Sequence, residues 1–221
     1  MPIFAIGDMA PALLIMEKTM LNNRVRIRNA GKQDAADIAR LVIMAWPVDA
    51  FLSEDGARTV DDLTALIEDI ALREDTLYSY CNTMIAEIRG GEHPDAAGII
   101  IGYDGADFPV LRRTVQEMFS ERFGKMDMKW PDETQSGEFY FDSVAVDPAY
   151  RGYGLGSALF NAMTERAVSL GYRTAGLLVD YDNPSAERLY VRLGFREAGD
   201  KSFFGHRMKH MQKDLSGDMQ Q

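Results

Sequence analysis

Apolar positions along the chain alternate between a spacing near two and a spacing near 3.6, and each change of spacing marks a new element. V-R-I-R from Val25 predicts a short strand, after which Asp34 offers an N-cap to a helix with Ile38, Leu41, Val42 and Ala45 on one face, stopped at Trp46-Pro47. A second helix is predicted over Asp61 to Leu72, with Leu63, Leu66, Ile67 and Ile70 on one face and Thr59 as its cap. Thr83 to Ile88 and Gly98 to Tyr103 read as two strands of a hairpin, joined through Gly90-Gly91-Glu92-His93-Pro94-Asp95. Leu111, Val115, Met118, Phe119 and Phe123 describe another helix, and the polar run from Gly124 to Gly137 reads as a loop. Beyond it come a strand from Glu138 to Val146, a helix from about Gly154 to Leu170, a strand from Thr174 to Val179, a helix from Pro184 to Leu193, and closing strands near Phe195 and His206. Strands and helices alternating at both ends, with a hairpin between, indicate a mixed α/β layered fold.

Composition narrows this without changing it. The 221 residues are 46% apolar and 10% aromatic, as in an ordinary globular protein, and a chain of this length is expected to bury roughly 70% of its unfolded surface in one core. With 34 acidic against 24 basic residues the net charge is −10, which opposes phosphate-backbone binding and argues against a nucleic-acid partner. A single cysteine, Cys81, leaves no intrachain disulfide, and no paired Cys/His spacing suits a metal; a reducing cytoplasm is expected. Residues 1–22 are apolar in part but broken by Asp8 and Pro11, so neither a signal peptide nor a membrane span is expected. They read as an extension ahead of a domain over 23–213, with a polar tail over 214–221.

The most informative stretch is V-A-V-D-P-A-Y-R-G-Y-G-L-G-S, Val144 to Ser157, where a strand turns into a helix through glycines. Glycines there allow close approach of the backbone to a ligand, and the first N–H groups of a helix are free to bind anionic oxygens. The turn is neither a Walker loop nor the G-x-G-x-x-G dinucleotide spacing. What remains is R-x-x-G-x-G, Arg151 to Gly156, which taken alone also suits a tight strand-to-helix connection. Some 30 residues on stands N-P-S-A-E-R-L-Y-V-R-L-G-F, Asn183 to Phe195, where Asn183 and Pro184 start a helix by local rules.

These two motifs, in this order and spacing, resemble those of GNAT-type (Gcn5-related) acyl-CoA N-acetyltransferases: the R/Q-x-x-G-x-G/A turn, and N-x-x-A-x-x-x-Y-x-x-x-G-F at Asn183, Ala186, Tyr190, Gly194 and Phe195. The resemblance covers roughly residues 24–212, with 105–137 as a helix-loop insertion before the cofactor-binding strand. It implies a GNAT-like central mixed sheet of six to seven strands, splayed at the cofactor cleft and flanked by about four helices. It implies acetyl-CoA as acyl donor, its pantetheine paired with the backbone of Val144, Ala145 and Val146. The pyrophosphate would lie on the turn formed by Arg151, Gly152, Tyr153, Gly154, Leu155, Gly156 and Ser157, with Asn183, Ala186 and Tyr190 completing the cofactor site. The acceptor would be a primary amine of a small molecule or peptide, and a homodimer is left open. The resemblance also admits a catalytically weak acyl-CoA-binding sensor or regulatory protein, because the carboxylate base of histone-acetylating members matches Tyr140 here.

Transfer to an amine requires a neutral nucleophile, and stripping an alkylammonium of pKa about 10.4 at neutral pH costs about 4.6 kcal/mol. The expected base is Asp142, which the resemblance aligns with the carboxylate of other branches; Glu138 acting through water is the second choice. Period-two alternation would set Glu138, Tyr140, Asp142 and Val144 on one face of their strand. The expected acid is Tyr190, by resemblance, although Ala186, Leu189, Tyr190 and Leu193 also form one packing face. His93 reads as a solvated turn residue, and His206 and His210, four apart in a strand, are not expected to bind metal. Trp46, Pro47, Asp49, Phe51, Glu54 and Asp55 lie where family members shape the acceptor site, and read equally as an ordinary loop.

Overall fold

A computed structural model describes residues 24–46, 48, 51–52, 58–89, 95–124, 130–203 and 205–217. The extension over 1–22, the tip of the first hairpin with His93, and Pro47, Asp49, Glu54 and Asp55 lie outside the described residues. The elements follow the hydrophobic pattern closely: β1 (Val25–Asn29), α1 (Ala35–Ala45), α2 (Val60–Ala71), β2 (Thr83–Ile88), β3 (Asp95–Asp104), α3 (Phe108–Phe123), β4 (Phe139–Val146), α4 (Leu155–Ser169), β5 (Thr174–Asp180), α5 (Pro184–Arg192), β6 (Arg196–Phe203) and β7 (His206–Asp214).

Local chemistry explains most boundaries. Thr59 caps α2 reciprocally, its hydroxyl accepting from the Asp62 N–H while the Asp62 carboxylate accepts from the Thr59 N–H. Asp34 precedes α1 as predicted, but it makes no capping hydrogen bond to the helix. Its carboxylate instead accepts from the Gly31 N–H and from both terminal nitrogens of Arg28 on β1, at 2.7–2.8 Å, because a buried charge is held best by a forked guanidinium.

The seven strands form one sheet in the order β1-β2-β3-β4-β5-β7-β6, and among its neighbouring pairs only β4–β5 is parallel. Five α-helices flank it among the described residues, at the five stretches where the hydrophobic spacing predicts them. Helices α1, α2 and α3 cover one face, burying Ile38, Leu41, Leu63, Ile67 and Phe119 against Ile99, Ile101 and Tyr140. Helix α4 covers the other, with Leu159, Phe160 and Met163 packed on Phe139, Phe141 and Leu177. Leu215, which the sequence pattern assigned to a polar tail, is fully buried in this second cluster, and its N–H donates to the Arg173 carbonyl.

Strand β4 departs from strict alternation. Ile101 of β3 faces Ser143, but the next residue, Gly102, faces Phe141, so Asp142 is an extra residue, a β-bulge. The shift returns Val144 to the side of Phe139 and Phe141, while Tyr140 and Ala145 face α1 and α2. The single face expected for Glu138, Tyr140, Asp142 and Val144 is therefore broken at Asp142.

Candidate active site

The glycine turn is built for a left-handed backbone. Asp147 caps a short turn over Pro148–Tyr150, and the chain then passes through Gly152 at φ 82° and Gly154 at φ 83° before entering α4 at Leu155. Only glycine adopts such angles without penalty, which accounts for both residues; Gly156 is already helical. Gly154 is the N-cap and supplies no side chain to the helix, so the amides of the first turn remain available to an anion. A Cβ added at Gly152 or Gly154 would meet nothing within 4 Å, so this cradle is open. The Arg151 Nε donates to the Val146 carbonyl at 3.1 Å and ties the turn to the end of β4. Tyr153 and Ser157 are half-buried, and Leu155 is buried against Ile88 and Ala97.

Strands β4 and β5 pair at only two positions, Phe139 with Ala175 and Tyr140 with Gly176, and then part. The gap between them is a slot of about 310 Å³ walled by Phe141, Val144, Phe160 and Leu177, with Asn183 and Tyr190 at its α5 side. Asn183 caps α5 as expected, its Oδ1 accepting from the Ala186 N–H at 3.1 Å. Tyr190 is 9% exposed, packs on Phe160 with ring centroids 5.2 Å apart, and makes no hydrogen bond to a described residue through its hydroxyl. Burial pushes its phenol up to about 12. A second cavity, about 440 Å³, opens on the α1 side between Trp46, Phe51, Tyr78, Trp130 and Tyr140 on one wall and Asp180, Phe203, His206 and Met208 on the other. Ala45, Asp142, Ser143 and Leu178 line both spaces, so the slot and the cavity meet at the bulge.

Asp142 stands at that junction. Its carboxylate accepts from the Tyr103 hydroxyl and, at 2.7 Å, from the Ser143 hydroxyl. Burial pushes its pKa above the ordinary carboxylate value, against the pull of those two donors. Glu133, in the segment between α3 and β4, faces the same cavity and accepts from the Tyr140 hydroxyl at 3.1 Å. Burial, and next to it the charge of Asp142, holds its carboxyl well above the usual value. Two acidic side chains thus share one aromatic-walled space.

Glu138 occupies a different place from the one its sequence position suggested. It is 1% exposed, lines neither cavity, and accepts from Thr134 Oγ1 (2.7 Å), from Gln212 Nε2 (2.7 Å) and from the Gln135 N–H, with His210 Nε2 at 2.9 Å. It lies across Gly176, where any Cβ would collide with its carboxylate. Burial opposes its charge, yet these partners outweigh burial and hold its pKa below the ordinary value. Its surroundings leave no free lone pair aimed at an acceptor, so a base acting through water is not supported there; Glu138 fastens the segment carrying Glu133 to β7.

Trp46 and Phe51, from the stretch between the first two helices, line the second cavity. Glu133, Trp130 and Phe203 were not found from the sequence. Trp130 and Glu133 lie in a polar, unpatterned stretch that tethering brings to the site: Arg112 Nη1 donates to the carbonyls of Trp130 and Pro131 and pairs with Asp132, and Thr134 bonds Glu138, whereas Phe203 reaches the site at the end of β6. Among the described residues there is no cluster of three or more metal-ligating side chains, and no helix is long and apolar enough to cross a membrane.

Comparison with known proteins places this geometry. The sequence pattern of the Acetyltransferase (GNAT) family matches residues 117–195, from α3 through β4, the glycine turn and α5. A solved acetyltransferase superimposes with a TM-score of 0.68 at 31% identity, over 86% of this chain and 100% of that one. An N-acetyltransferase from Staphylococcus aureus Mu50 shares the fold, with a TM-score of 0.70 at 24% identity over 85% of this chain and 99% of that one. A mycothiol acetyltransferase of Actinosynnema mirum is 39% identical over 101 residues, 46% of this chain and 29% of that protein. The aligned stretches cover no more than 34% of the curated relatives they match.

Proposed function

The chain belongs to the Acetyltransferase (GNAT) family, and from that premise we propose that it moves an acetyl group from acetyl-CoA to a primary amine of a small molecule or peptide by direct attack in a ternary complex. The observation that carries this reading is the meeting of two spaces at one carboxylate: a slot that runs between parted strands beside an open amide cradle, and a separate cavity, both lined by Asp142. A diphosphate fits the cradle because the first amides of α4 carry no capping side chain, and a pantetheine arm fits the slot because β4 stops pairing with β5 after Tyr140. Bound there, acetyl-CoA supplies an acyl group activated as a thioester.

The side chains around the junction supply the proton traffic. Asp142 accepts the proton that the amine sheds as its nitrogen forms the new bond to the acyl carbon, and its raised pKa makes it a better acceptor than a solvated carboxylate. The carbon–sulfur bond breaks in the same transfer, and Tyr190, a phenol that remains protonated at neutral pH, donates to the departing sulfur. Arg151, Gly152, Tyr153, Gly154, Leu155, Gly156 and Ser157 hold the phosphates, and Val144, Ala145, Val146, Asn183 and Ala186 frame the arm. Cys81 is exposed and lines neither cavity, which supports transfer without a covalent enzyme intermediate.

Calorimetry with CoA, followed by thiol release from acetyl-CoA across a panel of amines, tests the reading. Micromolar binding together with amine-dependent thiol release is expected. Binding without release from any amine would leave an acyl-CoA sensor, and absence of binding would overturn the reading altogether.

A further inference from the structure

The acceptor-side cavity holds one more carboxyl group than a single proton transfer requires. Asp142 lies where slot and cavity meet and suffices as the base, whereas Glu133 lines only the cavity. Burying a second carboxylate near the first is costly unless something compensates it. Among the described residues, neither Glu133 nor Asp142 has a basic side chain within ion-pair distance; Arg112 is engaged with Asp132, and Lys201 with the Asp132 carbonyl. The segment that bears Glu133 is nonetheless pinned on both sides, by Arg112 and by Thr134 on Glu138, so the carboxylate is held in place and has not drifted in on a loose loop. The walls around it are aromatic: Trp46, Phe51, Tyr78, Trp130 and Tyr140 line the same space, with Trp46 stacked on Phe51 at 4.7 Å between centroids and Trp130 edge-on to Phe51 at 6.2 Å. Acidic groups and aromatic rings lining one space together favour an organic cation over a metal or a neutral group.

We propose that this cavity takes a small dicationic amine, whose reacting nitrogen sits at Asp142 while its second cationic group is held by Glu133 against the rings of Trp46, Phe51 and Trp130. The inference rests on the acetyl-transfer reading and names its acceptor class. A cavity of about 440 Å³ suits a small molecule of this kind. Glu133 is here a specificity residue: it meets the end of the acceptor that does not react.

The test uses a matched pair of acceptors, 1,5-diaminopentane and 1-aminopentane, which differ only in the second amine. The native protein should prefer the diamine by about tenfold or more in kcat/KM, chiefly through KM, as one charge-assisted contact plus a cation–π contact allows. Glu133→Gln, nearly isosteric, should reduce that preference to below about threefold, and Glu133→Asp should restore part of it. A native preference within about twofold, or one that survives Glu133→Gln undiminished in a variant that still binds CoA, overturns the proposal. Calorimetry of 1,5-diaminopentane with the CoA complex separates this idea from the one beneath it. Glu133-dependent binding without acetyl transfer supports the cation site and sinks the transfer reading; transfer to 1-aminopentane with no advantage for the diamine does the reverse.

Discussion

Replacing Tyr190 by Phe isolates one proton in the transfer. The hydroxyl makes no hydrogen bond to a described residue, and its ring packs on Phe160 and Phe195, contacts that Phe retains. Stability should therefore change little, because no buried partner is orphaned. The kinetic cost follows from the leaving group. A thiol of pKa about 8.5 that must depart as thiolate near pH 7 does so about 2 kcal/mol uphill, and full loss of the donor would slow the step by about 30-fold. Water entering the vacated space would recover part of this, so a fall of about 10- to 30-fold is expected. Single-turnover thiol release with preloaded acetyl-CoA measures the chemical step apart from product release, and calorimetry should find CoA affinity within about twofold of native. Because burial pushes the phenol up to about 12, the native rate should show no titration of this group between about pH 6 and pH 10. An acetyl donor with a more acidic thiol should narrow the gap between native and variant. A single-turnover rate within twofold of native would refute the assignment of Tyr190 as acid.

Two further substitutions test the carboxylates. Asp142→Asn should lower the single-turnover rate by about 10²-fold or more and remove the rising limb of the pH–rate profile; since burial raises the Asp142 pKa, that limb should lie above the ordinary carboxylate range, and an unaltered profile would assign the proton to water. Glu138→Ala strips an acceptor from Thr134, Gln212 and His210 and should cost about 3 kcal/mol or more in urea unfolding at pH 7. The Glu138 pKa is held below its ordinary 4.5, so its contribution is present in full above that value and is lost as pH falls through the lowered one. The gap between native and variant should therefore shrink in acid, and a gap constant from about pH 7 to pH 3 would contradict the role given to its charge.

What the sequence disclosed depended on how far each signal reaches along the chain. Caps at Thr59 and Asn183 and the stop at Trp46 were legible because their partners lie within three or four residues. The glycine turn was legible for the same reason: positive φ at residues 152 and 154 is a local demand. Asp34 was located correctly and misread chemically, since the partner that claims its carboxylate, Arg28, comes from another element. Glu138 and Glu133 exchanged significance through contacts more distant still. Nothing near Glu138 in sequence announces His210 or Gln212, and nothing near Glu133 announces Tyr140 as its donor.

The bulge at Asp142 shows why that limit fell where it mattered most. In a regular strand Phe141 and Val144, three residues apart, point to opposite faces. Here they wall the same slot, and they do so only because one extra residue intervenes before Ser143 resumes pairing with Ile101. The same insertion leaves Asp142 facing both spaces, with Tyr103 and Ser143 holding its carboxylate from β3 and from its own strand. It also coincides with the point past which β4 no longer pairs with β5. A local break in alternation thus gives an apolar channel for an acyl carrier, a carboxylate at the channel's mouth and an unpaired strand edge beside it. None of the three follows from hydrophobic periodicity, because periodicity assumes the register that the bulge interrupts.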